Sequence, residues 1–209
     1  MYAIVTDNEI TKFINHPKSL VIGDVRYPAK IFSVWSASEL NAIGIYEVIT
    51  DSTNFKDEKW YINTNESYAF ADNQVTRSWG TATPIAHADT LWTQEDSDDG
   101  DLPDDKEIGD LKVEGLKTKL IRDLKLQVAN ELSITDWYIT RNTEKSTAIP
   151  SAISTHRDAV RTKQAEMETA ITNASDTPAL ETLHTYVNTG TEENPVMTRP
   201  LGELPILES

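Results

Sequence analysis

Asp136-Trp137-Tyr138-Ile139-Thr140-Arg141 lies between two long segments in which apolar residues recur every three or four positions. This spacing places the apolar side chains of each segment on one stripe of an amphipathic helix. The upstream stripe consists of Val113, Leu116, Leu120, Leu124, Val128 and Leu132. The downstream stripe consists of Ile153, Val160, Met167 and Ile171, with Arg157 and Gln164 at intermediate positions. Two such helices with a non-helical connection predict an antiparallel helical hairpin.

The six residues themselves have two interpretations. In the structural one they form a compact turn, in which Asp136 pairs with Arg141 while Trp137 and Tyr138 close the core of the hairpin, because aromatic side chains at a helix crossing usually bury a large area. In the functional one the same residues present a charged, aromatic surface to a partner protein. Neither interpretation gives these residues a catalytic role.

The N-terminal part, residues 1–92, predicts a small antiparallel β-rich module with one short helix. Residues 2–6 and 10–14 flank a polar turn and indicate a β-hairpin. Ser36 and Glu39 have the spacing of a helix capping box, and Gly44 stands where a helix C-cap is expected. Further strands are predicted at 45–48, 60–62, 68–70 and 74–79, so the module is expected to be a meander with the helix on one face.

Residues 93–110 are predicted to be an acidic linker. The chain has 209 residues and a formal charge of −15, and residues 95–110 alone carry nine Asp or Glu against one Lys. Their mutual repulsion favours an extended, solvated segment. A surface this acidic repels phosphate groups, which excludes nucleic acid and anionic membrane as expected partners.

The region after the hairpin is expected to hold a short third helix and an extended tail. Pro178 suits the first turn of a helix, and Gly190 is expected to end it. Residues 111–190 therefore form the predicted helical domain, and residues 191–209 a tail that contains Pro195, Pro200 and Pro205. An apolar tail interrupted by prolines cannot be helical, so it is expected to pack on its own domain or along another subunit.

The sequence offers little for catalysis or cofactor binding. It contains no cysteine, and none of its four histidines has a second histidine at metal-ligand spacing. With Gly100 as the sixth residue of a calcium loop, Lys106 occupies the twelfth position, where a carboxylate is required. No signal peptide, membrane span or phosphate-binding glycine loop is predicted. We expect no cofactor and no enzymatic activity.

The chain resembles a known family around its central motif. Leu132-Ser133-Ile134-Thr135-Asp136-Trp137-Tyr138-Ile139-Thr140-Arg141, followed by Ile149-Pro150, Arg157 and Arg161, resembles a pattern of the tail fibre assembly proteins and related tail-associated proteins of tailed bacteriophages. The resemblance covers about residues 111–175. Segments 2–5, 27–32 and 42–48 also look like the opening module of many phage proteins. The resemblance implies a role in virion assembly or tail structure.

The sequence therefore predicts an α+β protein that joins or decorates tail or tail-fibre components of a phage virion, after synthesis in the host cytoplasm. A tail fibre assembly chaperone that leaves the virion is the alternative, and a small hydrolase is a remote one. The expected partners are other virion or tail-fibre proteins, and homo-oligomers stay open. The candidate partner-binding residues are Trp137, Tyr138, Arg141, Arg157, Arg161, Val196, Met197, Leu201, Leu204, Ile206 and Leu207.

Overall fold

The computed structural model of the protein describes residues 1–207 and divides the chain into two compact units. The first unit is Met1–Thr83 and the second begins at Pro84. Strands dominate the first unit and helices the second, so the protein has the predicted α+β class. The predicted boundary near residue 92 differs from the one observed.

The first unit contains eight strands and two short helices before the boundary. In chain order they are β1 (Tyr2–Thr6), β2 (Glu9–Ile14), β3 (Leu20–Ile22), β4 (Val25–Tyr27), α1 (Ile31–Val34), α2 (Ala37–Ala42), β5 (Ile45–Thr50), β6 (Tyr61–Ile62), β7 (Ser67–Ala71) and β8 (Gln74–Ser78). A two-residue strand, β9 (Thr83–Pro84), marks the boundary between the units.

Five of these strands form a mixed sheet in the order β2-β1-β5-β8-β7. The antiparallel module predicted from the sequence is wrong in one respect, because β5 and β8 run parallel, with Val48 opposite Val75. Parallel neighbours need a long connection. Here the chain crosses to the outer edge, forms β7, and returns as β8 through a tight hairpin.

Two similar hairpins flank the central strand β5. Their turns are Asp7-Asn8 and Asp72-Asn73, and all four residues have positive φ angles between 50° and 64°. This conformation belongs to two-residue hairpin turns that follow the twist of the strands, and Asn and Asp tolerate it. The rings of Phe13 and Tyr68, on the two edge strands, lie 4.6 Å apart, so the sheet curls until its edges meet.

The short helix α2 confirms the predicted capping box. The Ser36 backbone N–H donates to Glu39 Oε2 at 2.8 Å, and the Glu39 N–H donates to Ser36 Oγ at 3.3 Å. Gly44 ends this turn with φ +80°, and its Cα approaches the carbonyl oxygen of Val5 so closely that a Cβ would lie 2.7 Å from it. The helix packs Leu40 against Ile31 and Ile45 in the core of the unit.

Up to residue 207, the second unit contains four further strands and five helices. In chain order they are β10 (Thr90–Leu91), α3 (Gln94–Asp98), β11 (Leu111–Val113), α4 (Leu116–Ser133), α5 (Asp136–Lys145), α6 (Ser151–Asn173), α7 (Thr177–His184), β12 (Val187–Asn188) and β13 (Met197–Thr198).

The acidic segment is folded and is not the extended linker that the sequence predicted. Thr93 and Asp96 form a capping box at the start of α3, a pattern hidden among the other carboxylates. The Trp92 N–H donates to the carbonyl oxygen of Asp110, and the Gly109 N–H donates to that of Trp92, both at 2.8 Å. Strands β10 and β11 therefore close the acidic segment into a lobe.

Residues before the lobe also belong to the helical unit. The Leu116 N–H donates to the carbonyl oxygen of Ala86 at 3.0 Å. Asp89 accepts hydrogen bonds from the Gly115 N–H and the Thr118 hydroxyl at 2.7 and 2.9 Å, and so caps the start of α4. For this reason the second unit begins at residue 84, and α4 begins at Leu116 although the predicted stripe began at Val113.

Helices α4 and α6 form the predicted antiparallel pair. Lys117 Nζ, at the start of α4, donates to the carbonyl oxygen of Thr172 at the end of α6, whereas Glu131 lies beside His156 at the opposite end. Both predicted stripes face the core, except that Val113 lies in β11 and is exposed. Their buried members are Leu116, Leu124, Val128, Ile153, Arg157, Val160, Met167 and Ile171.

The third helix starts as predicted but ends earlier. Asp176 Oδ1 accepts a hydrogen bond from the Ala179 N–H at 2.8 Å and caps α7. The helix ends at His184 and does not extend to Gly190, because Val187–Asn188 pairs with Met197–Thr198 as an antiparallel ladder. The predicted tail thus contributes a strand to its own unit.

Candidate protein-interaction site

The central motif is helical in the structure. Helix α5 spans Asp136–Lys145, so the predicted compact turn is wrong, and the non-helical breaks are confined to short stretches before and after α5. Asp136 is the first residue of this helix, where a carboxylate interacts favourably with the helix dipole. Its Oδ1 lies 2.9 Å from Nη1 of Arg157, and the predicted Asp136–Arg141 pair does not form.

Arg157 holds the α4–α5 junction against α6. Its Nη1 donates to the carbonyl oxygen of Leu132 at 2.8 Å and to the hydroxyl of Thr135 at 2.7 Å. Arg157 is 8% exposed and Thr135 only 1% exposed. A cation this buried is normally paired and hydrogen-bonded, and here one nitrogen serves three acceptors. Arg157, which the sequence assigned to partner binding, therefore serves the interior of the unit.

A second polar pair reinforces the same junction. His156 Nε2 lies 3.0 Å from Oε1 of Glu131, and the histidine is almost fully buried. His156 and Arg157 are adjacent on α6, and their partners Glu131 and Leu132 are adjacent on α4. The two contacts together fix the register of the helices at this end.

The outer side of the motif carries the aromatic residues. The rings of Trp137 and Tyr138 lie 3.7 Å apart, and the Arg141 guanidinium lies over the Trp137 ring at 4.8 Å and over the Tyr138 ring at 5.7 Å. Trp137 is half exposed, so it does not close the hairpin core as predicted. Within residues 1–207, Nε of Arg141 is buried and has no hydrogen-bond partner.

Exposed aliphatic residues also lie on α4 and at its end. Ile134, the C-cap residue of α4, is 61% exposed and stands three residues before Trp137 in the chain. On α4, Leu126 is also exposed and lines a shallow groove of about 380 Å³ with Ile121 and Lys125. Arg161 lies further along α6 and pairs with Asp158 at 3.3 Å on the solvent side. In the described part of the chain, Arg161 forms no hydrogen bond or ion pair with α5.

The C-terminal segment separates the predicted tail residues into two groups. Leu201 is buried at 4% exposure, and its N–H donates to the carbonyl oxygen of Leu183, so it anchors the segment to α7. Its assignment to partner binding was therefore wrong. Val196, Met197 and Ile206 are exposed, whereas Leu204 and Leu207 are partly covered.

A polar cluster steadies this segment. The Tyr186 hydroxyl donates to Glu203, and Arg199 Nε lies 2.8 Å from Glu203 Oε1. The hydrogen bond to Glu203 raises the pKa of the Tyr186 hydroxyl above its usual value. These contacts fix the residues on either side of the β12–β13 hairpin. The hairpin exposes apolar residues that include Val187 and Met197.

The sequence did not indicate some of the exposed apolar residues near Trp137 and at the β12–β13 hairpin. Leu126 on α4 and Ile134 just after it lie outside the apolar stripe, and this was the available signal, since an aliphatic residue outside the stripe is not covered by the helix packing. Tyr186 and Val187 were assigned to a helix that ends before them. Their exposure could only follow from the strand that replaces that helix.

The described part of the chain contains no metal centre. Within residues 1–207 no three His, Asp or Glu side chains cluster in a way that could hold a metal ion. No helix in that range is both long and apolar enough to span a membrane. No protein-family model matches the chain, and neither a curated protein nor a solved structure is significantly similar to it.

Proposed function

We propose that this protein is a non-enzymatic, tail-associated structural protein of a tailed bacteriophage, which joins or decorates tail or tail-fibre components through protein–protein contacts. The proposal rests on the resemblance of residues 111–175 to tail fibre assembly and related tail proteins. One structural observation carries it furthest. The motif behind the resemblance has an outer side on which Trp137 is half exposed and stacked on the guanidinium of Arg141.

The chemistry of this outer side suits a protein partner. Tryptophan and arginine are enriched among the residues that contribute most to binding energy at protein interfaces. Here the ring and the guanidinium are already stacked, so little side-chain freedom is lost when a partner covers them. Ile134, exposed three residues before Trp137 in the chain, adds an aliphatic side chain. The exposed hairpin residues Val187 and Met197 offer a second apolar surface on the same unit.

The proposal is tested with purified virions of the phage that encodes the chain. We expect mass spectrometry to find the protein in the particle, at a fixed ratio to a tail component. The Trp137→Ala/Arg141→Ala variant should be incorporated at least tenfold less. Ile49→Ala is a matched control, because Ile49 has the same 50% exposure as Trp137 but lies in the first unit. Absence of the wild-type chain from virions would contradict residence in the tail.

The second candidate function is a tail fibre assembly chaperone. It is favoured by the same resemblance, which includes assembly proteins that need not stay in the particle. Co-expression separates the two functions. A chaperone should raise the soluble yield of the fibre protein and be missing from finished virions, whereas a structural component should be retained without changing that yield. If the protein neither enters virions nor changes fibre solubility, both functions are wrong.

A further inference from the structure

The first unit contains a basic cleft in an otherwise acidic protein. The cleft has a volume of about 500 Å³ and lies between the β1–β2 hairpin and the β3–β4 hairpin. Its apolar lining comes from Ile4, Ile14, Leu20 and Val21, and its charged lining from Lys12, Lys18 and Arg26. Three cations thus converge on one cleft in a chain whose net charge is −15.

None of these three cations is neutralised by another described residue of the chain. Within residues 1–207, Lys12, Lys18 and Arg26 form no side-chain hydrogen bond and no ion pair, whereas eight of the other Lys and Arg residues pair with a carboxylate. Like charges held close together repel one another, and a bound anion lowers this repulsion. The cleft is therefore complementary to a ligand that carries several negative charges.

The acidic lobe of the second unit has the matching chemistry. Asp96 is the one carboxylate of the nine that is bound both by Lys112 and by the cap of α3, and the other eight lack these contacts. Asp104, Asp105 and Glu107 are exposed. Apolar residues surround the charges, because Leu91, Ile108, Leu111 and Val113 are each about half exposed.

We propose that the basic cleft of one copy of this chain binds the acidic lobe of a second copy. Each surface combines one sign of charge with exposed aliphatic side chains. On the cleft side Val21 is 62% exposed. The contact joins two different surfaces, so it is heterologous, and repeated addition of copies builds a closed ring or an open filament.

The overall negative charge does not prevent this contact. In about 0.15 M salt the interaction between exposed charges is screened over about 8 Å, so distant carboxylates of two copies hardly repel each other while apposed groups still attract. In about 1 M salt the screening distance falls to about 3 Å, and the attraction is weakened as well. Association is expected to be strongest at intermediate salt concentration. This inference does not depend on the proposed phage function.

The test measures the mass of the full chain by sedimentation velocity. Wild-type protein should self-associate in a concentration-dependent way. The cleft variant Lys12→Glu/Arg26→Glu and the lobe variant Asp104→Lys/Asp105→Lys should each lose this association by at least tenfold. Of the two variants, the lobe variant gives the clearer result when measured alone. Its net charge is less negative than that of the wild type, so if repulsion between whole molecules controlled association, this variant would associate more strongly and not less. Lys30→Glu/Lys145→Glu is the matched control for the cleft variant, because it makes the same change in net charge at exposed lysines outside the cleft, and it should associate like the wild type.

Mixing the two variants provides the strongest test. The wild-type lobe of the cleft variant fits the wild-type cleft of the lobe variant, and the two reversed surfaces also have opposite charges. The mixture should therefore regain association that neither variant shows alone, while circular dichroism confirms that both are folded. A wild-type chain that stays monomeric at all concentrations, a control variant that loses association equally, or a mixture that stays monomeric would each overturn the inference.

Discussion

The α4–α5 junction and the C-terminal segment both carried residues that the sequence assigned to partner binding, and they divide those residues differently. At the junction the division follows the helix faces, since Arg157 points inward to three acceptors and Trp137 outward. In the C-terminal segment it follows position, since Leu201 anchors the segment and Val196 and Ile206 do not. A motif assigned to partner binding can thus bury one of its charged residues in the fold while it leaves an aromatic residue exposed.

Removing the inner half of the junction should have the largest effect on stability. In Arg157→Met the acceptors Leu132 and Thr135 lose their buried donor, and we expect the free energy of unfolding to fall by about 3–5 kcal/mol. Chemical denaturation followed by circular dichroism measures this loss. Arg161→Met is the control, because Arg161 is exposed and its ion pair contributes at most about 1 kcal/mol. Equal effects of both substitutions would contradict the conclusion that Arg157 serves the interior of the unit whereas Arg161 does not.

The corresponding test in the C-terminal segment compares two apolar residues. Leu201→Ala opens a cavity in the core of the second unit and should lower the free energy of unfolding by about 2–4 kcal/mol. Ile206 is 83% exposed, so Ile206→Ala should change it by less than about 0.5 kcal/mol. Thermal melts of both variants provide the measurement. A large effect of Ile206→Ala would show that this residue is sheltered.

The stability of the acidic lobe should depend on pH through one carboxylate, that of Asp96. The hydrogen bond from Lys112, together with those from Thr93, lowers the pKa of Asp96 from 3.8 to about 2. The stability that depends on this carboxylate is therefore complete above about pH 4 and is lost as the pH falls towards 2. Asp96→Asn should remove that part of the acid dependence. The fluorescence of Trp92, which lies beneath the Lys112 ammonium, measures the unfolding of the lobe as the pH is lowered. Identical acid profiles of variant and wild type would contradict this role.

The outer half of the junction should matter least for stability. Trp137→Ala removes a half-exposed ring and its cation–π contact with Arg141, which is worth about 0.5–1 kcal/mol at an exposed site. We expect a loss below about 1 kcal/mol in the same denaturation experiment. A loss as large as that of Leu201→Ala would mean that the ring belongs to the core, and the proposed interaction surface would lose its main residue.

Sequence periodicity predicted the parts of the fold that depend on local rules. The stripes of α4 and α6 and the Ser36–Glu39 cap were confirmed because each follows from spacing along a single segment. The parallel pairing of β5 with β8 was missed because pairing partners are chosen by the whole chain. The acidic lobe was missed because composition suggested repulsion, while its fold depends on one cap and on two backbone hydrogen bonds of Trp92.

The sequence predicted which residues belong to the candidate site, but it did not predict which of them pair or which side they face. The sequence marked both Arg141 and Arg157, yet it paired Asp136 with the wrong one. Arg141 is five residues from Asp136 on the same helix, whereas Arg157 reaches it from another helix. Only the antiparallel packing of α4 and α6 decides between them, and that packing brings residues more than twenty positions apart into contact.

The antiparallel arrangement also determines how the second unit responds to mechanical load. The chain enters α4 and leaves α6 at the same end, where Lys117 bonds to the backbone at Thr172, while the Arg157 contacts lie at the far end. Tension applied through the flanking chain peels the helices apart one turn at a time, starting at Lys117. A pull between residues at opposite ends of the pair would have to shear both stripes at once. In an assembly under strain, the route by which force enters this protein decides whether it yields.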